Sequence, residues 1–418
     1  MSRLDELILE LCPDGVEYKL LKEFATVSRG GNFQKKDFIP EGVPCIHYGQ
    51  IYTRYGLFAD KTFTFISEDC ARRQKMAVTG DIIMAVTSEN VEDVCKCLTW
   101  LGDSDVAVSG HSAIIHHNQD AKYLTYYFHT EMFFAQKRKL AHGTKVIEVT
   151  PDKLLDVKIP VPPLEVQREI VRILDNFTEL TAELTAELTA RQKQYEYYRD
   201  KLLSFDILLG GASSDIRWTV LSQIADIGTG SSNTDEAVEE GLYPFYVRSP
   251  EPLRKNEYEY DETAIITAGD GVGVGKVYHY VEGKYALHQR AYRIHINTPD
   301  VMPRYYYHYM RSAFLPYIQK TMYHGSVASI RRPMLNAFPV PVPPLDIQER
   351  LVRVLDNFDS ICSDLNIGLP AEIEARQKQY EFYRDKLLTF AAFDTTIFEQ
   401  AASSKQQAAS SKQQAASS

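Results

Sequence analysis

The stretch FTELTAELTAELTARQKQYEYYRDKLLSF, residues Phe177–Phe205, decides the fold of this chain. It contains three consecutive four-residue repeats over Glu179–Ala190 and consists largely of good helix formers. No Gly or Pro occurs in Leu164–Phe205, and the pair Pro162–Pro163 just upstream is a helix start signal. The pattern predicts one long helix.

The repeat keeps its leucines on one side of that helix, because four residues advance about 400° at about 100° per residue. Extended in both directions, the apolar stripe recurs at steps of mostly three and four residues, which is typical of a coiled-coil seam. Its members are Ile170, Leu174, Phe177, Leu180, Leu184, Leu188, Tyr195, Tyr198 and Leu202. A seam of this kind needs a second helix of similar length to cover it.

The second helix comes from a second copy within the chain. Residues 161–177, which begin Val-Pro-Pro-Leu, recur as residues 342–358, and residues 190–205 recur as residues 375–390. The chain is therefore an internal duplication.

The segment between the matched blocks differs in length. It is four residues longer in the second copy, 359–374 against 178–189. The longer version contains Asn366, Gly368 and Pro370, so we expect the second helix to stop near Asn366 and to restart at Pro370.

Two segments, Val16–Pro160 and Arg217–Pro341, contain short runs of Val, Ile, Thr, Phe and Tyr separated by Gly, Asn and Asp. Such runs predict mainly β domains. Weak matches, among them Gly110–His116 with His288–His295, indicate that the second domain is a diverged copy of the first. Nearly identical helices favour two equivalent docking surfaces, whereas diverged β domains favour two different ligands.

The expected architecture is α+β, with two mainly-β domains separated by a pair of long antiparallel coiled-coil helices in an internal pseudo-twofold repeat. The expected segments are a first β domain at 1–158, a helical segment at 159–210, a second β domain at 211–340, a second helical segment at 341–395 and a tail at 396–418. The tail repeats Ala-Ala-Ser-Ser-Lys-Gln-Gln, a composition typical of disorder or of a frayed helix.

Composition limits the function classes. The 418 residues are 44% hydrophobic and 24% charged, as in ordinary globular proteins. No run approaches the roughly 20 apolar residues of a membrane span, and no signal peptide is evident, so we expect a cytoplasmic protein. The six cysteines are scattered, without the paired spacing of a zinc site. A net charge of −10 argues against a uniformly basic nucleic-acid binder but allows a local basic cleft.

Catalytic motifs are missing from the sequence. The Gly-rich run Gly269–Gly275 fits neither a Walker A loop nor a dinucleotide-binding motif, and it is either a loop between strands or a close approach to a phosphodiester backbone. No Asp/Asn-Pro-Pro-Tyr/Phe element for adenine methylation is present. The acids of Pro151–Lys158 only imitate a nuclease motif, because too few residues separate them.

The duplicated Val-Pro-Pro-Leu helix starts, the duplicated Ala-Arg-Gln-Lys-Gln-Tyr-Glu helix ends, the Thr-Ala-Glu-Leu repeats and the two diverged domains together resemble one family. Over about residues 1–395, the chain is similar to the specificity (S) subunit of a type I restriction-modification enzyme. The resemblance implies two target-recognition domains, each binding one half of an asymmetric bipartite site in double-stranded DNA. The helix pair would set the spacing between the two halves.

The resemblance also implies that this chain is not catalytic and binds no cofactor or metal itself. Two modification subunits would methylate adenine with S-adenosylmethionine, and restriction subunits would translocate and cleave DNA with ATP and Mg²⁺.

Candidate DNA-binding residues are basic or amide side chains in predicted loops of the β domains, since these types contact base edges and phosphates. The first domain supplies Asn32, Gln34, Lys35, Lys36, Arg54, Arg72, Arg73, Lys75 and Lys145. The second supplies Arg248, Arg254, Lys255, His288, Arg290, Arg331 and Arg332. For each one, the alternative is a solvated surface charge.

Aromatic residues of the helical segments are candidates for packing the helix pair and docking the modification subunits. Together with the spacer leucines, the set is Leu180, Leu184, Leu188, Tyr195, Tyr198, Tyr380 and Tyr383. The runs Tyr123–Phe128 and Tyr305–Tyr309 are predicted to pack on their own domains, with stacking on bases as the alternative.

Two other functions compete. A coiled-coil scaffold whose β domains bind proteins would agree with the negative charge, but it leaves the different basic loops of the two domains unexplained. An autonomous nuclease or methyltransferase would need an active-site motif that the sequence lacks.

Overall fold

The computed structural model describes residues 2–204, 216–321, 329–363 and 368–390. The chain divides into two compact units, residues 1–183 with 374–418, and residues 184–373. Each unit combines strands with helices, which confirms the α+β class predicted from the sequence. The low-complexity tail lies outside the described residues.

The first unit begins with thirteen strands and six short helices. The strands are β1 Tyr18–Leu20, β2 Ala25–Arg29, β3 Val43–Ile46, β4 Phe58–Ala59, β5 Thr64–Ile66, β6 Lys75–Ala77, β7 Ile82–Ala85, β8 Thr87–Ser88, β9 Cys97–Trp100, β10 Val106–Val108, β11 Ser112–His117, β12 Ile147–Glu148 and β13 Lys158–Pro160. The helices are α1 Arg3–Leu11, α2 Tyr48–Thr53, α3 Glu68–Ala71, α4 Ala121–Tyr127, α5 Glu131–Leu140 and α6 Pro151–Leu154. A five-stranded sheet of order β2-β11-β7-β9-β4 and a four-stranded sheet of order β5-β3-β10-β6 form its β portion.

The second unit has one larger sheet. Its strands are β14 Arg217–Val220, β15 Ala225–Thr229, β16 Tyr243–Tyr246, β17 Leu253–Lys255, β18 Tyr260–Ala268, β19 Tyr278–Leu287, β20 Ala291–Ile296 and β21 Pro339–Val342. Six of them form a sheet of order β15-β20-β18-β19-β16-β17. The helices that follow are α8 Pro303–Thr321, α9 Arg332–Asn336 and α10 Leu345–Ser363.

Two helices contribute to both units. The predicted long helix is α7, Leu164–Leu202, and the unit boundary falls between residues 183 and 184. The last described helix is α11, Leu369–Leu388, with a boundary between residues 373 and 374. Along α7 the predicted seam is buried or half-buried, except at Tyr198, which is exposed.

Within the second unit, α7 and α10 run antiparallel, as predicted. Positions along the two helices meet in opposite order: Tyr198 stacks on Phe358, Arg311 joins Tyr195 to Asp359, and Arg191 lies near Cys362. In the first unit, Phe177 of α7 stacks on Tyr383 of α11 with ring centroids 5.5 Å apart.

The predicted interruption of the second helical segment is present between α10 and α11. Asn366, the predicted stopping point, lies outside the described residues. The helix restarts at Leu369, so Pro370 is its second residue and not its first as predicted. Proline suits this position because the first turn of a helix leaves its N–H groups without intrahelical partners.

A buried glutamine fixes the start of each repeated helix. Gln167 donates to the Pro162 carbonyl at 2.7 Å and accepts from the Asp120 amide at 3.0 Å. Its counterpart Gln348 donates to the Pro343 carbonyl at 2.7 Å and accepts from the Met302 amide at 2.8 Å. Both side chains are fully buried. The repeated Val-Pro-Pro-Leu-X-X-Gln motif therefore ties each helix to its own β domain.

A repeated aspartate then anchors each helix to a domain helix. Asp175 accepts from Lys122 Nζ at 2.6 Å and from the Tyr126 hydroxyl at 2.7 Å. The equivalent Asp356 accepts from Arg304 Nε and from His308 Nε2, both at 2.7 Å. The carboxylate is the same in both copies, but its donors differ.

The aromatic runs pack within their own domains. Tyr123, Tyr127, Tyr305 and Tyr309 are buried, and their hydroxyls donate to carbonyls of the strands β13 and β21. The predicted packing role is therefore confirmed, and these rings are not available to stack on bases.

Candidate nucleic-acid interface

In the first β domain, the structure brings the segment Gly30–Lys36 beside the segment Arg72–Lys75. The Gly31 amide donates to the Val108 carbonyl at 2.7 Å, and Val108 lies opposite Lys75 in the β6–β10 ladder. A Cβ atom on Gly31 would come within 2.0 Å of the Gln74 Oε1 atom. The flexible Gln74 side chain can turn away from that contact, whereas a Cβ atom on Gly30 would come within 2.2 Å of the Ser109 carbonyl oxygen, so the close approach requires glycine at position 30.

Seven of the predicted DNA-binding residues lie on these two segments, and all are exposed: Asn32, Gln34, Lys35, Lys36, Arg72, Arg73 and Lys75. Arg72 forms loose ion pairs with Glu68 at 3.7 Å and Asp69 at 3.6 Å. Lys35 and Lys36 form no ion pair with any described residue. The two segments together make an exposed basic patch.

A row of three tilted rings lies next to this patch. The ring centroids of His47 and Tyr48 are 4.6 Å apart, and those of Tyr48 and His111 are 4.9 Å apart. The pKa of His47 is lowered by burial and by the proximity of Lys35 and His111. Tyr48 and His47 are not among the residues predicted from the sequence, because nothing local in the sequence shows that these rings lie beside His111.

The other two candidates of the first domain lie apart from the patch. Arg54 follows the last residue of α2 and covers the Phe63 ring at 5.6 Å from its centroid. Lys145 is exposed in the turn before β12. Its neighbour Val146 lines a groove of about 530 Å³ together with Tyr48 and Asn90.

In the second β domain, one carboxylate joins two of the predicted arginines. Asp270 accepts from Arg248 Nη1 at 2.7 Å and from Arg290 Nη1 at 3.1 Å. Partial burial raises the pKa of Asp270, but hydrogen bonds and charge from the two arginines outweigh it and hold that pKa below its usual value. Asp270 belongs to the Gly-rich run, which is the loop between β18 and β19.

His288 is placed beneath these arginines and not on the surface. It is buried, and its Nδ1 accepts from the Arg290 amide at 3.0 Å. Burial and the charges of Arg248 and Arg290 lower its pKa, in agreement with a neutral ring that accepts at Nδ1. His288 therefore supports the backbone of Arg290.

The remaining candidates of the second domain flank the same loops. The Ile330 amide donates to the Gly269 carbonyl at 2.9 Å, which places exposed Arg331 and Arg332 just after this contact. Lys255 on the edge strand β17 donates to Glu236 at 2.6 Å and to Ser232 at 2.8 Å. Arg254 beside it is exposed.

The backbone of the two domains matches at these loops. The Ser109 amide donates to the Ile46 carbonyl at 3.1 Å, and the His288 amide donates to the Tyr246 carbonyl at 2.9 Å. Two residues further along each chain, His111 and Arg290 therefore occupy equivalent positions.

Two more positions match by strand register. Ile46 lies opposite Val108, and Tyr246 lies opposite Leu287, so Tyr48 and Arg248 are equivalent. Glu148 and Ser329 are equivalent because they precede the two Val-Pro-Pro-Leu motifs by the same number of residues. Thr87 lies opposite Glu148 and Asp270 lies opposite Ser329, so Thr87 and Asp270 are equivalent. One backbone frame thus presents Tyr48, Thr87 and His111 in the first domain, and Arg248, Asp270 and Arg290 in the second.

The helical candidates divide into buried and exposed positions. Tyr195 and Tyr380 are buried within their units, and Leu180, Leu184 and Leu188 are half-buried. Tyr198 and Tyr383 are more exposed and stack on Phe358 and Phe177. The adjacent positions carry the most exposed rings, Tyr197 at 59% and Phe382 at 62%, and a lysine lies over each: Lys201 and Lys386.

None of the helices in the described ranges is both long and apolar enough to span a bilayer. The described residues also contain no group of three or more His, Cys, Asp or Glu side chains that could hold a metal ion. All six cysteines are free thiols.

The sequence matches one family model twice. The model of the type I restriction modification DNA specificity domain covers residues 13–191 and 217–375. The type I restriction enzyme EcoR124I/EcoR124II specificity subunit of Escherichia coli is 36% identical over 270 residues, which are 57% of this chain and 64% of that relative. A putative type I restriction enzyme specificity subunit of Haemophilus influenzae is 32% identical over 274 residues, 60% of this chain and 68% of the relative.

Solved structures share the fold. A type I restriction-modification S subunit from M. genitalium matches 90% of this chain and 96% of its own, with a TM-score of 0.52 and 15% identity. A chain from a structural study of complex assembly in the type I R-M system matches 90% of this chain and 98% of its own, with a TM-score of 0.61 and 17% identity. With both of its halves matched by the family model, this chain belongs to the type I restriction-modification DNA specificity family.

Proposed function

We propose that this chain is the DNA sequence-specificity subunit of a type I restriction-modification complex, and that each β domain recognises one half of an asymmetric bipartite site. The recognition domains are residues 1–158 and 211–340, joined by the helical segments 159–210 and 341–395. The observation that carries the proposal is the shared backbone frame, which presents different side chains at equivalent positions in the two domains.

The proposed contacts divide by chemistry. In the first domain, the exposed patch of Lys35, Lys36 and Arg72–Lys75 supplies positive charge for phosphates, while Asn32 and Gln34 supply amides for base edges. In the second domain, Arg331 and Arg332 supply phosphate contacts beside the Asp270 loop. Arg54, Lys145, Arg254 and Lys255 contribute at the margins.

The chain's net charge of −10 agrees with a shared DNA interface. Long-range repulsion from phosphates disfavours tight binding by this chain alone, whereas partner subunits that close around DNA can supply the missing positive charge. We expect weak DNA binding by the isolated chain.

Two modification subunits dock on the two repeated helix ends. Tyr197 with Lys201, and Phe382 with Lys386, form matching exposed aromatic and cationic pairs on identical helical frames. Two equivalent surfaces of this kind favour the binding of two copies of the same partner subunit. Restriction subunits complete the complex.

Chemistry comes from the partners in this proposal. The modification subunits use S-adenosylmethionine to methylate adenine, and the restriction subunits use ATP and Mg²⁺. The chain itself is not catalytic, holds none of these cofactors, and works in the cytoplasm.

The quartets of α7 set the spacing between the two half-sites. One quartet adds about 6 Å at about 1.5 Å per residue, close to two base-pair steps at about 3.4 Å each. A four-residue change also keeps the seam nearly in phase, which a change of one or two residues does not.

The test is methylation-site sequencing of the chain reconstituted with its modification subunits, with and without the quartet Thr185–Leu188. We expect both forms to modify the same two half-sites, with a gap that is shorter by about one to two base pairs in the deletion. Thr185→Ala keeps the helix length and serves as the matched control, with an unchanged gap. An unchanged gap in the deletion would reject the spacing role, and the absence of any bipartite site would favour the scaffold function.

A further inference from the structure

We infer that the second recognition domain reads a guanine in its half-site through Arg290, and that Asp270 and Arg248 position this guanidinium. The inference rests on the proposed function and deepens it, because it assigns a base and a residue to one half-site.

The geometry leaves one edge of Arg290 available. Its Nη1 donates to Asp270 at 3.1 Å, while Nε and Nη2 have no hydrogen-bond partner among the described residues. The side chain is 61% exposed and borders a cavity of about 250 Å³. The Nε and Nη2 groups form the planar fork that matches the O6 and N7 acceptors of guanine in the major groove.

The site is held in place by its surroundings. The Arg290 amide is bonded to buried His288, so the backbone of Arg290 is fixed at this position. A Cβ atom on Gly269 would come within 2.6 Å of the Arg290 carbonyl oxygen, and one on Gly273 within 2.6 Å of the Arg248 carbonyl oxygen. Only glycines allow the loop to approach both arginine segments so closely, and this approach brings Asp270 between them.

Asp270 also favours a base over a phosphate as the partner of Arg290. A carboxylate that bonds both arginines places a negative charge close to their guanidinium groups. That charge cancels part of the positive charge of the two arginines and so weakens their attraction for a phosphate, but it does not oppose the neutral edge of a guanine. A guanidinium that is already ordered also loses less conformational entropy when it binds.

The first domain lacks this arrangement. Its equivalent positions carry Tyr48, Thr87 and His111, none of which offers a two-pronged donor. The effect is therefore restricted to the second half-site, and the first half-site serves as an internal reference in every experiment.

The experiment compares Arg290→Ala, Arg290→Lys and Asp270→Asn in the complex with modification subunits, by methylation-site sequencing and by DNA binding over a range of salt concentrations. For Arg290→Ala we expect preference for one G·C pair in the second half-site to fall about tenfold or more, with the first half-site unchanged. Arg290→Lys keeps the charge without the planar fork, so its preference at that pair should be intermediate. Asp270→Asn should weaken preference at the same pair.

Arg217→Ala is the matched control, since Arg217 is another exposed arginine of this domain paired with an aspartate, Asp300. It should leave the preference at every position unchanged. If Arg290→Ala weakens binding to all sequences equally and Arg290→Lys restores it, Arg290 contacts a phosphate and the inference fails. Unchanged base preference in Asp270→Asn would overturn its positioning role. A lack of any bipartite site with the unsubstituted chain would instead reject the proposed function.

Discussion

The two β domains carry different side chains at positions where their backbone pairing is the same. The same hydrogen-bonded frame holds Tyr48 against His111 in the first domain, and Arg248 and Arg290 around Asp270 in the second. The first arrangement is aromatic, and the second is a network of charges. A frame that tolerates both can change what it binds without changing its fold, because His111, Arg248 and Arg290 are exposed and Tyr48 is only half-buried.

The helical side of the two domains shows the opposite relation. Gln167 and Gln348 make the same hydrogen bonds, and Asp175 and Asp356 occupy the same anchoring position. The two glutamines are fully buried, so a changed side chain at either position would leave an unpaired polar group. The glutamine and aspartate that join each helix to its β domain are therefore the same in both copies, whereas the residues at the candidate DNA interface differ.

The largest expected effect concerns the leucines of the two repeated helices, and it tests whether they contribute equally to stability. Leu174 and Leu355 are equivalent and fully buried, so alanine at either should lower the free energy of unfolding of its own unit by about 2 to 5 kcal/mol. The exposed Leu164 and Leu345 are the matched controls, with losses below about 1 kcal/mol. Denaturant unfolding with hydrogen exchange would assign each loss to a unit, and losses that appear in both units would show that the units are coupled.

The second prediction compares the stability lost when each of the two anchoring aspartates, Asp356 and Asp175, is replaced. Asp356→Ala should cost about 2 to 3 kcal/mol, because it leaves the fully buried His308 with an unpaired N–H and also removes the Arg304 contact. Asp175→Ala should cost about 1 to 2 kcal/mol, since the partly exposed Lys122 can reach water and only the hydroxyl of the fully buried Tyr126 loses its partner. Equal losses in thermal unfolding would contradict this ranking.

A smaller effect concerns pH. Burial lowers the pKa of His308, although its hydrogen bond to Asp356 opposes that change. The unfolded chain then binds more protons than the folded one below about pH 6.5, so the second unit loses stability as pH falls from 7 to 5. His308→Tyr installs the residue found at the equivalent position 126, which does not titrate there, and should flatten this dependence. Unfolding midpoints at the two pH values would check it, and an unchanged slope would exclude His308 as a cause.

The smallest effect is expected at the surface. Arg217 pairs with Asp300, and Glu17 at the equivalent position pairs with Lys19. Both pairs are exposed, so alanine at either position should change the free energy of unfolding by less than about 0.5 kcal/mol. A larger loss of stability at only one position would reveal a difference between the two strand pairs β1–β13 and β14–β21, whose registers match.

The sequence predicted the long helix, the internal repeat, the β domains and the interruption before Pro370, because each depends on local propensity or on self-similarity. It placed the restart of α11 one residue late, since a proline fits more than one position of the first helical turn. It also included His288 among the candidate DNA-binding residues, and the fold buries this side chain beneath Arg290.

Periodicity, composition and duplicated motifs thus determined which segments are helices and which are β domains, and that the chain resembles a specificity subunit. Only the tertiary structure decided which side chains meet at the candidate interface. Tyr48 and His111, or Arg248, Asp270 and Arg290, are far apart along the chain and come together through strand pairing. Local sequence patterns carry no record of those long-range pairings, because the strand register that creates them is set by the packed core.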